Sequence, residues 1–198
     1  MHRDQTYMTQ ARVAETVLRE LSPQSHLIVT GHIGCGKTTL ARKIAIRLGL
    51  AHLRIDDYYY DADPQASASR AAGSIDGGWV AEANVWDIPD AIWQSADLAV
   101  FLDYPNIVHY LRIIHRCFRT CAAQPTWADI RRTVGLEWDH MKIIYLYANK
   151  NREGWHERGG ITDSATPVVR CASPRAANRL LACMGTTRQC SGRANARR

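Results

Sequence analysis

No apolar run in the 198-residue sequence is long enough to span a bilayer, and the stretch MHRDQTYMTQARVAETVLREL lacks the apolar block of a signal peptide. Nothing here points to a membrane, and a cytoplasmic location is expected. The six cysteines, at positions 35, 117, 121, 171, 183 and 190, include no CxxC pair and no neighbouring histidines at zinc-ligand spacing. Reduced thiols are therefore expected rather than a disulfide scaffold or a zinc site. Cys117 and Cys121, four apart on a predicted helix, read as core or helix-face cysteines before they read as a metal pair. There is no internal repeat, which excludes a solenoid. Acid is missing from the last stretch, MGTTRQCSGRANARR, where Arg188, Arg193, Arg197 and Arg198 account for four units of the formal net charge of +6. Residues 184–198 thus read as a flexible basic tail on a mildly basic body, and a nucleic-acid partner is not expected.

What is present is ordinary globular material: 46% apolar and 22% charged residues, enough for one compact domain. Residues 1–25 read as an N-terminal helix, over 7–21, and a linker. From residue 26 to 183 predicted strands and helices alternate. Strands are expected over 26–30, 50–56, 79–82, 98–102 and 168–171. Helices are expected after the glycines to Gly49, over 87–94, from Pro105, near 125–134 and 137–151, and from Ser173-Pro174 through Leu181, with loop and one short helix over 58–77. The helix from Pro105 carries Ile107, Val108, Leu111, Ile114 and Phe118 on one side and Arg112, Arg116 and Arg119 on the other. The glycines of EGWHERGG mark a flexible break, and residues 120–163 are the expected mobile lid. Strands alternating with helices imply a parallel sheet covered on both faces.

Gly31, four further residues, and Gly36-Lys37-Thr38 match the phosphate-loop pattern GxxxxGK[ST]. The match follows an apolar strand and opens a helix, as the physics requires. Glycines let the backbone curl so that N–H groups converge on an anion, and the helix N-terminus adds partial positive charge. A nucleotide site over Gly31, His32, Ile33, Gly34, Cys35, Gly36, Lys37, Thr38 and Thr39 follows, with Lys37 against the outer phosphates and Thr38 offering its hydroxyl to Mg2+. Cys35, beside the lysine at a helix N-terminus, is read first as a small residue that fits and second as a thiolate whose alkylation would block binding.

A second metal-holding carboxylate is expected at the carboxyl edge of the sheet. Glu82, closing the third strand, is preferred to Asp103, which precedes a Tyr-Pro turn where aspartate has a structural reason to sit. Asp56, in the Asp56-Asp57 pair, is the candidate for accepting a proton from an attacking hydroxyl; the alternative is a solvated turn pair. Arg112 and Arg116 lie one turn apart and are candidates for clamping transferring phosphate. Lys150 and Arg152 are weaker candidates for a moving cover.

The segments GHIGCGKTT, LGLAHLRID, WVAEANVWDIPDAIWQSADLAVFLDYP, LRIIHRCFRT and VVRCASPRAANRLLA together resemble the small adenylate-kinase-like P-loop proteins, in particular the group labelled "DNA topology modulation protein". The resemblance covers about residues 27–182. It implies a three-layer α/β fold of the P-loop NTPase type, like the nucleoside monophosphate kinases: a five-stranded parallel sheet with helices on both faces and ATP over the loop. It also implies that Glu82 replaces the strand-end aspartate, and that Arg112 and Arg116 match two ATP-contacting arginines. Where adenylate kinases carry Asp-Gly-Phe-Pro-Arg, this chain has Glu82-Ala83-Asn84-Val85-Trp86, and between Asp57 and Trp79 only Arg70 is available to grip a monophosphate. The stretch RIDDYYYDADP is similar to the "DDFY" segment of uridine-kinase-like enzymes, which implies a hydroxyl acceptor. The reading is an ATP- and Mg2+-dependent phosphotransferase acting on a small-molecule, nucleoside or nucleotide acceptor, as a monomer with a homodimer as the alternative. A regulatory P-loop ATPase that acts as a binding module, with DNA as one partner, is the second reading.

Overall fold

The computed structural model describes residues 16–158 and 166–184. Five strands form one parallel sheet: β1 (His26–Gly31), β2 (Ala51–Arg54), β3 (Trp79–Ala83), β4 (Leu98–Leu102) and β5 (Val168–Cys171), in the spatial order β2-β3-β1-β4-β5. The three central strands are apolar along nearly their whole length because both faces of the sheet are covered. Alternation then divides their side chains between two cores. Leu27, Val29, Val80, Leu98, Val100 and Leu102 face one way, and Ile28, Ala81, Ala83, Ala99 and Phe101 the other. Each fully buried Leu or Ile here contributes roughly 1.5–3 kcal/mol.

The helices follow from local signals. The described end of an N-terminal helix, residues 16–20 (α1), places Leu18 in the first core. Helix α2 (Lys37–Leu48) buries Leu40, Ala41, Ile44, Ala45 and Leu48 there as well and ends at Gly49 in a left-handed conformation. Helix α3 (Pro64–Gly73) packs in the second core; Asp63 caps it by accepting from Ala66 N at 3.0 Å, and Pro64 opens its first turn. Then come α4 (Asp90–Ser95), α5 (Asn106–Ala122), α6 (Trp127–Arg158) and α7 (Pro174–Cys183), the last capped by Ser173. The five-stranded parallel sheet with helices on both faces is therefore present as expected.

The short helix expected within 58–77 is α3, for which the Asp63-Pro64 pair is a cap and first turn. Two local expectations are corrected. The second strand is shorter than the predicted 50–56: β2 ends at Arg54 and Ile55–Tyr58 form a 3-10 turn, so Asp56 and Asp57 lie in a turn rather than in the strand. The two helical stretches at 125–134 and 137–151, with a break in EGWHERGG, are one helix, α6, which runs through Gly135 and Gly154. At Gly135 the neighbouring Arg116–Glu137 pair holds α6 on α5 and offsets the low helix propensity of glycine. The first residues of the predicted N-terminal helix, the end of the expected lid (159–163), Cys190 and all of the basic tail but Met184 lie outside the described residues. No described helix is long and apolar enough to cross a membrane.

Helix α5 also differs in its burial. His109 and Ile113 are its buried residues, whereas Ile107, Leu111, Ile114 and Phe118 are exposed. The helix turns its arginine side toward the glycine-rich loop, and the apolar stripe faces out as a consequence.

A Cβ added at Gly135 meets nothing within 4 Å. Gly135→Ala should raise stability by about 0.5–1 kcal/mol, the helix propensity difference; an unchanged or lower melting temperature would contradict the continuous helix.

Candidate functional site

The chain runs from β1 out to β2, returns to β3 beside β1, and crosses to β4 on the other side of β1, so the carboxyl end of β1 is a topological switch point. Ligand crevices form at such points in parallel sheets. The glycine-rich loop leaves the sheet there. Gly31 has φ +152, and a Cβ on it would lie 2.7 Å from the Leu102 carbonyl. Gly36 has φ +91 and caps α2 without any side-chain hydrogen bond, and the helix's first turn holds no acid. The first N–H groups of a helix have no partners within it, so here they are left available to an anion.

Around this turn the structure brings several predicted residues together. Lys37 Nζ donates to the His32 carbonyl at 3.3 Å and to Asn84 Oδ1 at 3.1 Å. Asn84 Nδ2 in turn donates to Asp87 Oδ2 at 2.8 Å. Thr38 Oγ1 donates to Glu82 Oε2 at 2.9 Å. Glu82 is only 3% exposed, yet its other oxygen, Oε1, lies 3.5 Å from both His52 Nε2 and Arg54 Nε. Strand alternation explains the meeting: Glu82 shares the face of Val80, which is the face that α2 covers. Asp103 is turned elsewhere, its carboxylate held by Arg170 of β5.

A hydroxyl and a carboxylate converging beneath a phosphate loop fit Mg2+, which takes one or two protein oxygens and completes its shell with water and phosphate. Among the described residues there is no group of three or more His, Cys, Asp or Glu side chains able to hold a metal ion, so a cage built wholly of such residues is not the pattern here. Cys117 and Cys121 make a 3.9 Å sulfur-sulfur contact on α5 and are not part of any such group.

Asp56 lies on the same cleft, which has a volume of about 1190 Å³ and is lined on that side by Arg54, Asp56, Tyr59, Tyr60, Asn84 and Asp87. Burial raises the Asp56 carboxyl above its ordinary value; Lys37 and Arg54 work against this, and Asp87 and Asp57 add to it. Asp57 pairs instead with Arg54 at 3.2 Å. Arg70 bonds to Ser67 on α3 and is not among the cleft's lining residues.

The two α5 arginines are placed differently. Arg112 donates to the Cys35 carbonyl, touches the space beside Gly36, and stacks over the Tyr104 ring at 5.3 Å. Burial pushes the Tyr104 phenol up to about 12, so the ring beneath the guanidinium is neutral. Arg116 lines the cleft but is held by Glu137 of α6, with Nε on Oε1 at 2.7 Å and NH2 on Oε2 at 2.5 Å, and His140 joins the pair. Beneath the loop His109 is buried with its ring nitrogens 3.0 Å from the Ile33 carbonyl and 3.1 Å from that of Tyr104. Cys35 is buried, and desolvation pushes its thiol up despite Lys37, which leaves its reading as a small residue that fits.

Asn84, Asp87, Tyr104, His109 and Glu137 are site residues that pattern reasoning missed. Only Asn84 carried a usable signal, since it follows the strand that supplies Glu82.

The sheet order and the loop define the class: an α/β fold with a five-stranded parallel sheet and a phosphate-loop turn after its central strand. No protein family's sequence model matches the chain, and no curated protein matches it. Among solved structures it is similar to shikimate kinase from Acinetobacter baumannii, in complex with shikimate, at 12% identity over 91% of this chain and 99% of that one, with a TM-score of 0.48. Similar too are gluconokinase from Sinorhizobium meliloti 1021, at 16% over 88% and 99% with a TM-score of 0.46, and deoxyadenosine kinase from M. mycoides with bound dATP, at 11% over 86% and 100%, also 0.46.

The Arg116–Glu137 pair has a measurable pH signature. Burial alone would raise Glu137, but Arg116 and His140 more than offset it and hold the carboxyl below its ordinary value of 4.5. A depressed carboxyl contributes stability that is fully present above the unfolded value and is lost as pH falls toward the folded one. Glu137→Gln should cost about 1–2 kcal/mol at neutral pH and flatten the loss of stability below about pH 4.5 in thermal melts; a variant with the wild-type acid limb would contradict the pairing.

Proposed function

We propose that the protein is an ATP-dependent phosphotransferase that moves the γ-phosphoryl group to a hydroxyl acceptor held on the Asp56 side of the cleft. The observation that carries this is the Thr38–Glu82 hydrogen bond at the foot of an uncapped helix N-terminus, with Lys37 beside it and the Asp56 carboxylate lining the same cleft. The loop supports triphosphate binding through its free N–H groups. Lys37 would lie against the outer phosphates, and Thr38 and Glu82 would hold Mg2+. The metal, when bound, neutralises charge on the transferring phosphate.

Phosphoryl transfer demands little covalent work from the protein and much positioning. Arg112, fixed between the loop carbonyl and Tyr104, would meet the charge that builds up on the transferring phosphate. Arg116 would join it by exchanging part of its contact with Glu137 for phosphate. Asp56 would accept the proton of the attacking hydroxyl, and its raised pKa makes it a better base than an ordinary aspartate. The acceptor side supports a hydroxyl compound over a monophosphate: among the described residues its arginine, Arg54, is committed to Asp57 and Glu82, and Arg70 points elsewhere. The resemblance of motifs to the "DNA topology modulation protein" group is in keeping with an ATP site and leaves the acceptor open. A cytoplasmic location belongs to the same proposal.

The test is ADP formation against a panel of nucleosides, sugars, small alcohols and nucleoside monophosphates. A hydroxyl compound should stimulate ADP release. Asp56→Asn should lower that stimulated rate by about 10²–10⁴ while ATP affinity holds, and wild-type kcat/KM should fall with pH at a value above the ordinary 3.8 of an aspartate. Full stimulated activity in Asp56→Asn would refute its role as base, and stimulation by monophosphates alone would refute the acceptor class.

A further inference from the structure

The helical hairpin of α5 and α6 presents a bare apolar face on the side away from the cleft. On α5, Ile107, Leu111, Ile114 and Phe118 recur at spacings of four, three and four, and are 61%, 60%, 40% and 73% exposed. On α6, Trp138 and Tyr145, seven residues apart, are 56% and 79% exposed. Between the helices lies an apolar hollow of about 390 Å³, lined by Tyr110, Trp138, Met141, Lys142, Tyr145 and Leu146. Surface apolar residues scattered singly need no explanation, but a continuous helix stripe beside an apolar hollow marks an interface.

We propose that this face is the contact surface of a homodimer, in which α5 of one copy lies antiparallel across α5 of the other about a two-fold axis at Ile114. A two-fold interface uses one patch twice, so that patch must carry both a projecting group and the hollow that receives it. Here Phe118 projects, and the hollow opens beside Tyr110. Ile114 is midway between them, four residues or about 6 Å along the helix from each. An antiparallel crossing centred on Ile114 therefore brings Phe118 of each copy to the hollow beside Tyr110 of the other, and the two insertions are made together. The same operation sets Leu111 opposite Cys117 and Ile107 opposite Cys121, so apolar residues face less polar neighbours along the whole crossing.

Size and charge agree with this occupant. The six stripe residues present on the order of 800 Å² per copy, given the ~150–250 Å² that a large aromatic side chain can bury, and a standard stable interface takes ~800 Å² from each partner. The cations of α5 that would repel a second copy, Arg112, Arg116 and Arg119, all line the cleft on the other side of the helix. Among the described residues, Lys142 is the one charged side chain lining the hollow, and it is paired with Asp139 of its own helix at 3.3 Å.

Sedimentation equilibrium on the full chain, without nucleotide, tests the proposal. The wild type should be a dimer, and Phe118→Glu should weaken association about a thousandfold, because each copy contributes one anchor worth about thirtyfold or more. Phe118 is exposed in the single chain, so the variant's melting temperature, measured at a concentration where both proteins are monomeric, should be unchanged. Ile114→Cys should cross-link to a covalent dimer on mild copper-phenanthroline oxidation beyond any wild-type background, whereas Arg42→Cys, exposed on α2, should not. A wild-type chain that stays monomeric at its highest soluble concentration would overturn the proposal. So would a Phe118→Glu variant that still dimerises, or an Ile114→Cys variant that cross-links no more than Arg42→Cys.

Discussion

The structure depends on the turn by which β1 passes into α2. Gly31 must adopt a conformation that side chains rarely reach, with the Leu102 carbonyl where a Cβ would sit, and Gly36 must end the turn in a left-handed conformation with no capping side chain. Those two requirements leave the start of α2 unpartnered at the one point where the sheet's connections diverge. A helix N-terminus that is neither capped nor neutralised is poorly satisfied unless an anion fills it. The local cost at the loop is what makes it the candidate binding site.

The rest of the site is arranged around that turn. Strand alternation turns Glu82 onto the α2 face, where Thr38 meets it, and Asn84, two residues on, receives Lys37. On the other side α5 delivers Arg112 to the loop carbonyl and His109 to the carbonyl of Ile33. Turning that side of α5 inward leaves its apolar stripe facing outward, so the cleft beside the loop and the exposed face are two consequences of one helix orientation. The Arg116–Glu137 pair ties α5 to α6 at the edge of the cleft and couples that hairpin to whatever the arginine must do there.

Much of this was legible in the sequence, for definite reasons. The loop could be read because its chemistry needs fixed residue types at fixed spacing, and the buried strands because continuous apolar runs have few other uses. The Asp63-Pro64 helix start carried a local signal that the loop-like composition of residues 58–77 concealed. The end of β2 and the continuity of α6 were not legible. A turn that begins one residue after Arg54 has no marker distinct from the strand, and the integrity of α6 across Gly135 is decided by packing against α5. The partners of Lys37 and Arg116, Asn84 and Glu137, come from elements distant in sequence. Nor did periodicity say which side of α5 is buried: it identified the two faces correctly but could not tell that the loop would claim the arginine-bearing one.

Binding of a nucleoside triphosphate at this turn, through main-chain N–H groups and Lys37, is what we propose above all. Titration calorimetry with ATP and magnesium on the purified chain is the decisive measurement. Saturable one-to-one heat is expected for the wild type and its loss in a folded Lys37→Ala variant; no heat with any triphosphate, or undiminished binding by that variant, would overturn the proposal.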